Sequence, residues 1–386
     1  LNPEDFIVGT PVNNTRWRVR DNLPGNRDVC PLIRRVDAVQ HAEAYNLAAP
    51  LAELEAAYGI DLVMRSAVWL TVKESRASFL IEHEQDKEDR IYRFAAVMES
   101  ECGQHANPFA AETLDVLQRG ILGKSALRYG IRRSPVYVGH IARYQPVVDY
   151  VAPHWHHIDA MLAGLSRFLE RTNGGAPIVR AAAASFGFVH VHPMADGNGR
   201  ISRFLINDIL RRDGAAPAPI ILPVSATITH STRDRAAYDK VIERFSRPLM
   251  KHYADQYTFG KTEVAEDGVE YNLHFRAYDD ALPAWRYPDL TAHVVYLADV
   301  IDVTLTHEMR AEARFLHAND TARRAIKEFL EAPDNDLDSI IRSVRQHGNS
   351  VSNSLRKRYP LLDERAGLSA QIMQAVTEAF SDEQSD

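Results

Sequence analysis

Between Phe188 and Arg203 the sequence reads Phe-Val-His-Val-His-Pro-Met-Ala-Asp-Gly-Asn-Gly-Arg-Ile-Ser-Arg, and residues able to do chemistry crowd into it. His192 titrates near neutrality and suits a general base acting on a hydroxyl. Asp196 is the one carboxylate of the loop, and a hard Mg²⁺ carrying nucleotide phosphates takes only one or two protein carboxylates. Gly197 and Gly199 permit backbone geometries that other residues resist, so successive N–H groups can turn inward as an anion nest at a helix start. Arg200 and Arg203 add two guanidinium forks where further phosphate charge would lie. Base, metal ligand, phosphate cradle and cations together describe a hydroxyl reacting at a bound phosphate. From residue types alone a plainer account is also open: a glycine-rich turn capped by Asp196, with two solvated arginines.

Two helices must hold this loop. Upstream, Pro177 can open a helix whose Ile178, Ala181, Ala182, Ser185, Phe186 and Val189 make a small, apolar surface suited to central packing. Downstream, Ile201, Phe204, Leu205 and Ile209 form a buried stripe opposite Arg200, Arg203 and Asn207, and Gly214 is a fitting end. Periodicity predicts a helix over 60–84, with Val63, Ala67, Leu70, Ala77 and Ile81 on one face. Further helices are expected near 86–103, 109–122, 153–172, 177–190, 200–213 and 231–247, and again from about 290. Residues 1–33 read as an irregular arm, 133–139 as a short strand or hairpin, and 256–289 as a small β excursion or long connection.

The 386 residues are long enough for two or three domains, and 45% hydrophobic with 25% charged residues is ordinary globular composition, which excludes collagen-like and disordered chains. A net charge of −7 does not favour wholesale binding to nucleic acid or anionic membranes. Cys30 and Cys102 are the only two cysteines, so neither a disulfide framework nor a four-cysteine zinc site can be built. With no apolar run of membrane-spanning length and no signal-peptide pattern, a cytoplasmic protein without a membrane partner is expected. Residue 1 is Leu rather than Met, which leaves the natural N-terminus open.

In order and spacing, His192 to Arg200 followed by Arg203 resembles the signature of the Fic family, His-Pro-Phe-x-Asp-Gly-Asn-Gly-Arg then x-x-Arg, with apolar Met194 where the family usually has Phe. The resemblance covers roughly residues 115–250. It implies a mainly α fold, a Fic-type helical core with a short β-hairpin flap at 133–139, plus a helical C-terminal accessory domain. The implied organisation is an N-terminal arm and helices over 1–114, a catalytic core over 115–250, and a connection with accessory domain over 251–386. It further implies a nucleotidyltransferase that moves AMP from Mg²⁺–ATP to a hydroxyl of a target protein and releases pyrophosphate. His192 would deprotonate the target, Asp196 would hold Mg²⁺, and Gly197, Asn198 and Gly199 would cradle the α- and β-phosphates. Arg200 would neutralise the β-phosphate side and Arg203 the γ-phosphate, while Val136, Tyr137 and Val138 of the flap would hold the target. Of the family's adenine-pocket pattern, Tyr238 alone matches.

Ser78 and Glu82 lie one helical turn apart late in the 60–84 helix, beside Ile81 of its buried stripe. A half-buried Glu needs a partner, and the motif supplies an arginine with none of its own. The segment resembles the family's inhibitory helix, Ser/Thr-x-x-x-Glu followed by Gly or Asn, with His83 in the last place. That implies a Glu82–Arg203 pair that blocks the γ-phosphate. Ser78 would support Glu82, and the same carboxylate could position water for removal of AMP. A mainly deAMPylating enzyme is therefore an alternative.

Elsewhere, His154, His156 and His157 with His190 and His192 raise a metal cluster, but nothing supplies a Cys or a fixed helical pair with a third ligand, and His190 reads as a packed neighbour. Residues 338–359 read as helix, turn, helix, with Arg342, Arg345, Arg356, Lys357 and Arg358. That is a solvated basic face in preference to a DNA-reading helix, because Asp334, Asp336, Asp338, Asp363 and Glu364 flank it. A DNA-binding regulator with a vestigial Fic domain is the alternative from another class. Self-modification and a homodimer are further open partnerships.

Overall fold

Nearly every side chain from Ile178 to Val191 is buried, which makes that helix the axis on which its neighbours are laid. The computed structural model describes residues 1–83, 88–124, 126, 128–142, 145–348, 350–364 and 367–381. It opens with strands β1 (Val12–Asn14) and β2 (Val19–Asp21), then α1 (Asp37–Ala44), α2 (Ala48–Tyr58), α3 (Ile60–Ile81), α4 (Glu88–Glu101) and α5 (Ala111–Leu122). A hairpin of β3 (Tyr137–Ala142) and β4 (Gln145–Val151) precedes α6 (Ile158–Arg171), α7 (Pro177–Val191), α8 (Asn198–Arg212), α9 (Val224–Ile228) and α10 (Thr232–His252). Strands β5 (Tyr257–Val264) and β6 (Glu270–Phe275) lead to α11 (Tyr278–Arg286), α12 (Thr291–Val303), α13 (Met309–Lys327), α14 (Asp334–Gln346), α15 (Asn353–Arg358), α16 (Leu361–Glu364) and α17 (Leu368–Ala379). The fold is mainly α, and the three sheets among the described residues are two-stranded antiparallel hairpins.

The chain divides into two compact units, residues 1–50 with 69–306, and residues 51–68 with 307–386. In the first, α7 packs on α8, α6, α12 and α1. Its run of Ala181 to Ala184 and its Gly187 allow close approach; a Cβ on Gly187 would come within 2.7 Å of Leu165 Cδ2. Ile201, Phe204, Leu205 and Ile209 of α8 have no exposed surface, and each such side chain contributes about 1.5–3 kcal/mol by burial. In the second unit, Ala322 and Ile326 of α13, Leu337, Ile341 and Val344 of α14, and Leu368, Ile372 and Val376 of α17 share one core.

The helices expected from periodicity form, and the expected hairpin forms with a shift. Strand β3 begins at Tyr137, so Val136 lies just before it, with its carbonyl accepting from Ala152 N at 3.1 Å. Strand β4 has no alternating signature because Pro146 and two consecutive valines interrupt it; Pro146 sits opposite Ile141 near the hairpin's far end. The β excursion is β5–β6, and α11 follows it inside a stretch expected to lack helix. The arm at 1–33 contains the small β1–β2 hairpin. Of the segment expected as a C-terminal domain, residues 251–306 belong to the first compact unit. Residues 338–359 form the end of α14 and all of α15; Asn349 between them lies outside the described residues, as does Glu84 beyond α3. Arg345 lies over the rings of Phe380 and Phe315, at 4.0 and 4.9 Å.

Candidate active site

The sequence between α7 and α8 turns on two left-handed residues. His192 caps α7 at φ 50°, ψ 57°, an unusual conformation for a residue with a Cβ, and Gly197 opens α8 at φ 92°. The loop between them is held from inside. Asn198 spends its amide on Met194, accepting from Met194 N at 2.9 Å and donating to Met194 O at 2.8 Å. For contact with an anion this leaves Asn198 its backbone N–H and the second hydrogen of its amide. Gln118 of α5 donates to Asp196 O at 2.8 Å, and Met194 is fully buried and bridged to Ile131. Neither Gln118 nor Ile131 carries a local sequence signal for this role.

A cavity of about 570 Å³ opens over the loop, within the usual size of a small-ligand site. Its walls include His192, Asp196, Gly197 to Gly199, Glu82, Val138 of the flap, and Arg235, Tyr238 and Asp239 of α10. The His192 ring is half-buried, with Nδ1 facing Val189 O at 3.2 Å, which leaves Nε2 as the nitrogen available for proton transfer. Burial first, and then the Arg132 guanidinium, push its pKa down to about 4, against the opposing pull of Val189 O and Glu82. The imidazole is thus a neutral base across the physiological range.

Arg200 and Arg203 are buried and are not among the cavity walls. Arg200 pairs with Asp196 at 2.8 Å and lies over the Phe79 ring at 5.1 Å. Arg203 is gripped by α3: Nε donates to Ser78 Oγ at 2.7 Å, and Nη2 donates to Ser78 O at 3.1 Å and to Glu82 Oε1 at 2.7 Å. Its Nη1 is buried without a hydrogen-bond partner among the described residues. Glu82 lies against the start of α8, so close that a Cβ on Gly199 would stand 2.1 Å from its Oε1. Burial opposes the Glu82 charge, but Arg203, Arg200 and Arg235 outweigh it and hold the carboxyl below its ordinary pKa. Helix α3 ends where the Ser78–Glu82 pattern requires. His83 takes the left-handed position at φ 58° that glycine usually fills, and Arg235 donates to Ile81 O at 3.1 Å. Further back on α3, fully buried Glu74 accepts from Ser225 N at 2.6 Å and Ser225 Oγ at 2.5 Å. The sequence reading missed it.

Other candidates fall outside this constellation. His190 is buried, stacked on Phe245 at 4.2 Å, with its carbonyl accepting from Tyr150 OH. His154 stacks on Trp155, and among the described residues no group of three or more His, Cys, Asp or Glu is arranged to hold a metal ion. Among them, too, no helix is long and apolar enough to cross a membrane.

Residues 111–210 match the Fic/DOC family model. Protein adenylyltransferase fic-1 of Caenorhabditis briggsae is 37% identical over 124 residues, 32% of this chain and 22% of that protein. Protein adenylyltransferase Fic of Aedes aegypti is 38% identical over 89 residues, 23% of this chain and 16% of that protein. The chain thus spans about a fifth of the length of these curated relatives. A crystal structure of a Fic family protein from Desulfovibrio desulfuricans G20 aligns with a TM-score of 0.45 at 18% identity, covering 85% of this chain and 87% of that one. The His192–Arg203 loop lies toward the C-terminal end of the matched segment, so it is residues 111–210 of this chain that match the Fic/DOC family.

Proposed function

We propose that the protein is a protein adenylyltransferase, moving AMP from ATP to a hydroxyl of a target protein, and that Glu82 holds it in check. The names of the partial relatives support the activity, and the observation that carries the regulation is the Glu82 carboxylate wedged between Gly199 and Arg203. In this reading the target lies along β3, whose second edge has no strand paired to it among the described residues, beside Val136, Tyr137 and Val138. His192 Nε2 takes the proton as the target oxygen attacks the α-phosphorus. The bond from that phosphorus to the bridging oxygen breaks, and pyrophosphate leaves. The first backbone N–H groups of α8 and the Gly197–Gly199 turn receive the phosphates, which places negative charge at a helix N-terminus. The half-exposed Asp196 carboxylate, a hard oxygen donor in the cavity wall, fits a Mg²⁺ ion. When bound, that ion would neutralise charge on the phosphates.

Glu82 puts a carboxylate where the far end of a triphosphate would reach, and it occupies the arginine that would meet it. That Glu82 and His192 share one cavity supports a second role for the same carboxylate, orienting a water for removing AMP. The test is AMP transfer from labelled ATP by wild type and Glu82→Gly, with release of AMP from pre-modified protein as a second readout. Glu82→Gly is expected to raise transfer about ten- to a hundredfold, the lower part of what a buried pair would give because Glu82 is 33% exposed and partly screened. Ser78→Ala should act in the same direction more weakly. Arg203→Ala should cancel the gain of Glu82→Gly. A folded Glu82→Gly protein with unchanged transfer would make α3 ordinary scaffold.

A further inference from the structure

Arg132 has no exposed surface, and its hydrogen bonds go to carbonyl oxygens rather than to a carboxylate. Nε donates to His192 O, Nη1 to Ser134 O and Nη2 to Pro153 O, each at 2.7 Å. Its backbone N–H donates to Pro193 O at 2.9 Å. Burying a guanidinium whose hydrogen bonds all go to neutral carbonyls is costly even with the Asp267 carboxylate acting on it from further off, so such a group calls for a reason beyond packing. The three acceptors supply one. His192 is the candidate base, Ser134 lies just before the flap, and Pro153 just after it.

We infer that Arg132 is a positioning residue that locks the catalytic loop and both ends of the flap into one register, so that a hydroxyl held along β3 meets His192. The inference rests on the adenylyltransferase reading for what the register serves. The geometry of His192 carries it. A non-glycine residue persists in the left-handed region only when its surroundings over-determine it. His192 N donates to Phe188 O at 2.9 Å, its Nδ1 faces Val189 O, and Arg132 fixes the direction of its carbonyl. Turning His192 out of this conformation would strip a partner from a cation that water cannot reach. The charged and titratable groups that face the His192 ring are Arg132 from the segment before the flap, Glu82 beyond α3, and His190 on α7. Arg132 thus acts on the base in two separable ways, through its fork and through its charge.

The experiment places Arg132→Met and Arg132→Lys in the Glu82→Gly background. Transfer is measured at limiting and saturating ATP, and the His192 ring is titrated by NMR in histidine-labelled protein, with His192→Ala giving the assignment. Arg132→Met should lower kcat about 10²-fold with KM for ATP changed less than about threefold, and should move the His192 titration to higher pH because the cation is gone. Arg132→Lys keeps the charge without the fork; its titration should stay near the parent while kcat still falls about tenfold. Parental kcat in both folded variants overturns the inference, and if Arg132→Met does not fold, parental kcat in Arg132→Lys is sufficient. The titration needs no turnover. If the parent transfers no AMP, the adenylyltransferase reading fails on its own; an Arg132→Lys protein in which the His192 ring resonances keep their parental shifts then overturns the positioning role, and displaced ring resonances at an unchanged titration support it.

Discussion

Burial and the Arg132 guanidinium act in one direction on His192, holding it neutral down to about pH 4. A base must be deprotonated, and Glu82→Gly also removes the one carboxylate that pulls His192 upward, so transfer by that protein should have its acid limb at or below about pH 4 and stay flat from about pH 5.5 to 7. An acid limb near the ordinary histidine value of about 6.5 would place the base elsewhere. His192→Ala removes the proposed base and none of the proposed phosphate contacts, so transfer should fall about 10²- to 10⁴-fold while ATP affinity is retained. Asp196→Ala, by contrast, should weaken Mg²⁺-dependent ATP binding, and calorimetry with unchanged Mg²⁺–ATP affinity would remove Asp196 as the metal ligand. These residues were legible because they are contiguous: one loop between two helices puts base, carboxylate and cradle within twelve positions, His192 to Arg203. Arg132 acts from 60 residues away and Glu74 from 151 residues away from its partner, so neither has a local pattern to read.

At the scale of elements, helices with one apolar face could be read from periodicity, whereas β4 could not, because its pairing with β3 depends on a long-range register across a bulge at Val138 and Gly139. Helix α3 illustrates how an element is tied to a site by several contacts along one side. Glu74, Ser78 and Glu82 recur at four-residue spacing, and the first binds the start of α9 while the other two bind Arg203 of α8. Burial pushes Glu74 up to about 7 although Ser225 donates to it twice. Its folded-state value therefore lies above the ordinary carboxylate value, so its contribution to stability is complete below about pH 4.5 and is lost as pH rises through 7. Glu74→Gln has nothing to titrate there. The stability of wild type relative to Glu74→Gln should decline by on the order of 1–2 kcal/mol between about pH 6 and 8.5. A pH-independent difference would mean that Glu74 is ionised throughout.

Across the whole molecule, two compact units mean that a global unfolding curve mixes two cores, yet Trp17, Trp69, Trp155 and Trp285 all belong to the first unit. Tryptophan fluorescence therefore follows the unit that carries the site. This division was not legible, because residues 51–68 join the second unit from far along the chain, and sequence patterning reports faces of helices rather than which helices meet. The first unit also buries several neutral histidines. Burial lowers His190 well below its ordinary value and brings His293 to about 4; both nitrogens of each ring lack a hydrogen-bond partner among the described residues. A histidine depressed in the folded state takes up its proton first in the unfolded state, so its stabilising contribution is full above about pH 6.5 and is lost as pH falls toward 4. Glu74 works in the opposite sense over part of that window, so the wild-type curve alone is blunted. Difference curves separate the two. His293 is fully buried between Phe186 at 4.8 Å and His190 at 5.2 Å, where Phe offers a ring of similar size with no nitrogens to strand. In urea titrations followed by tryptophan fluorescence, His293→Phe should gain on wild type by on the order of 2 kcal/mol as pH is lowered from about 7 to 5. A difference that does not change with pH would mean that His293 binds protons alike in the folded and unfolded protein, and acid sensitivity would then have to come from other groups such as buried His190.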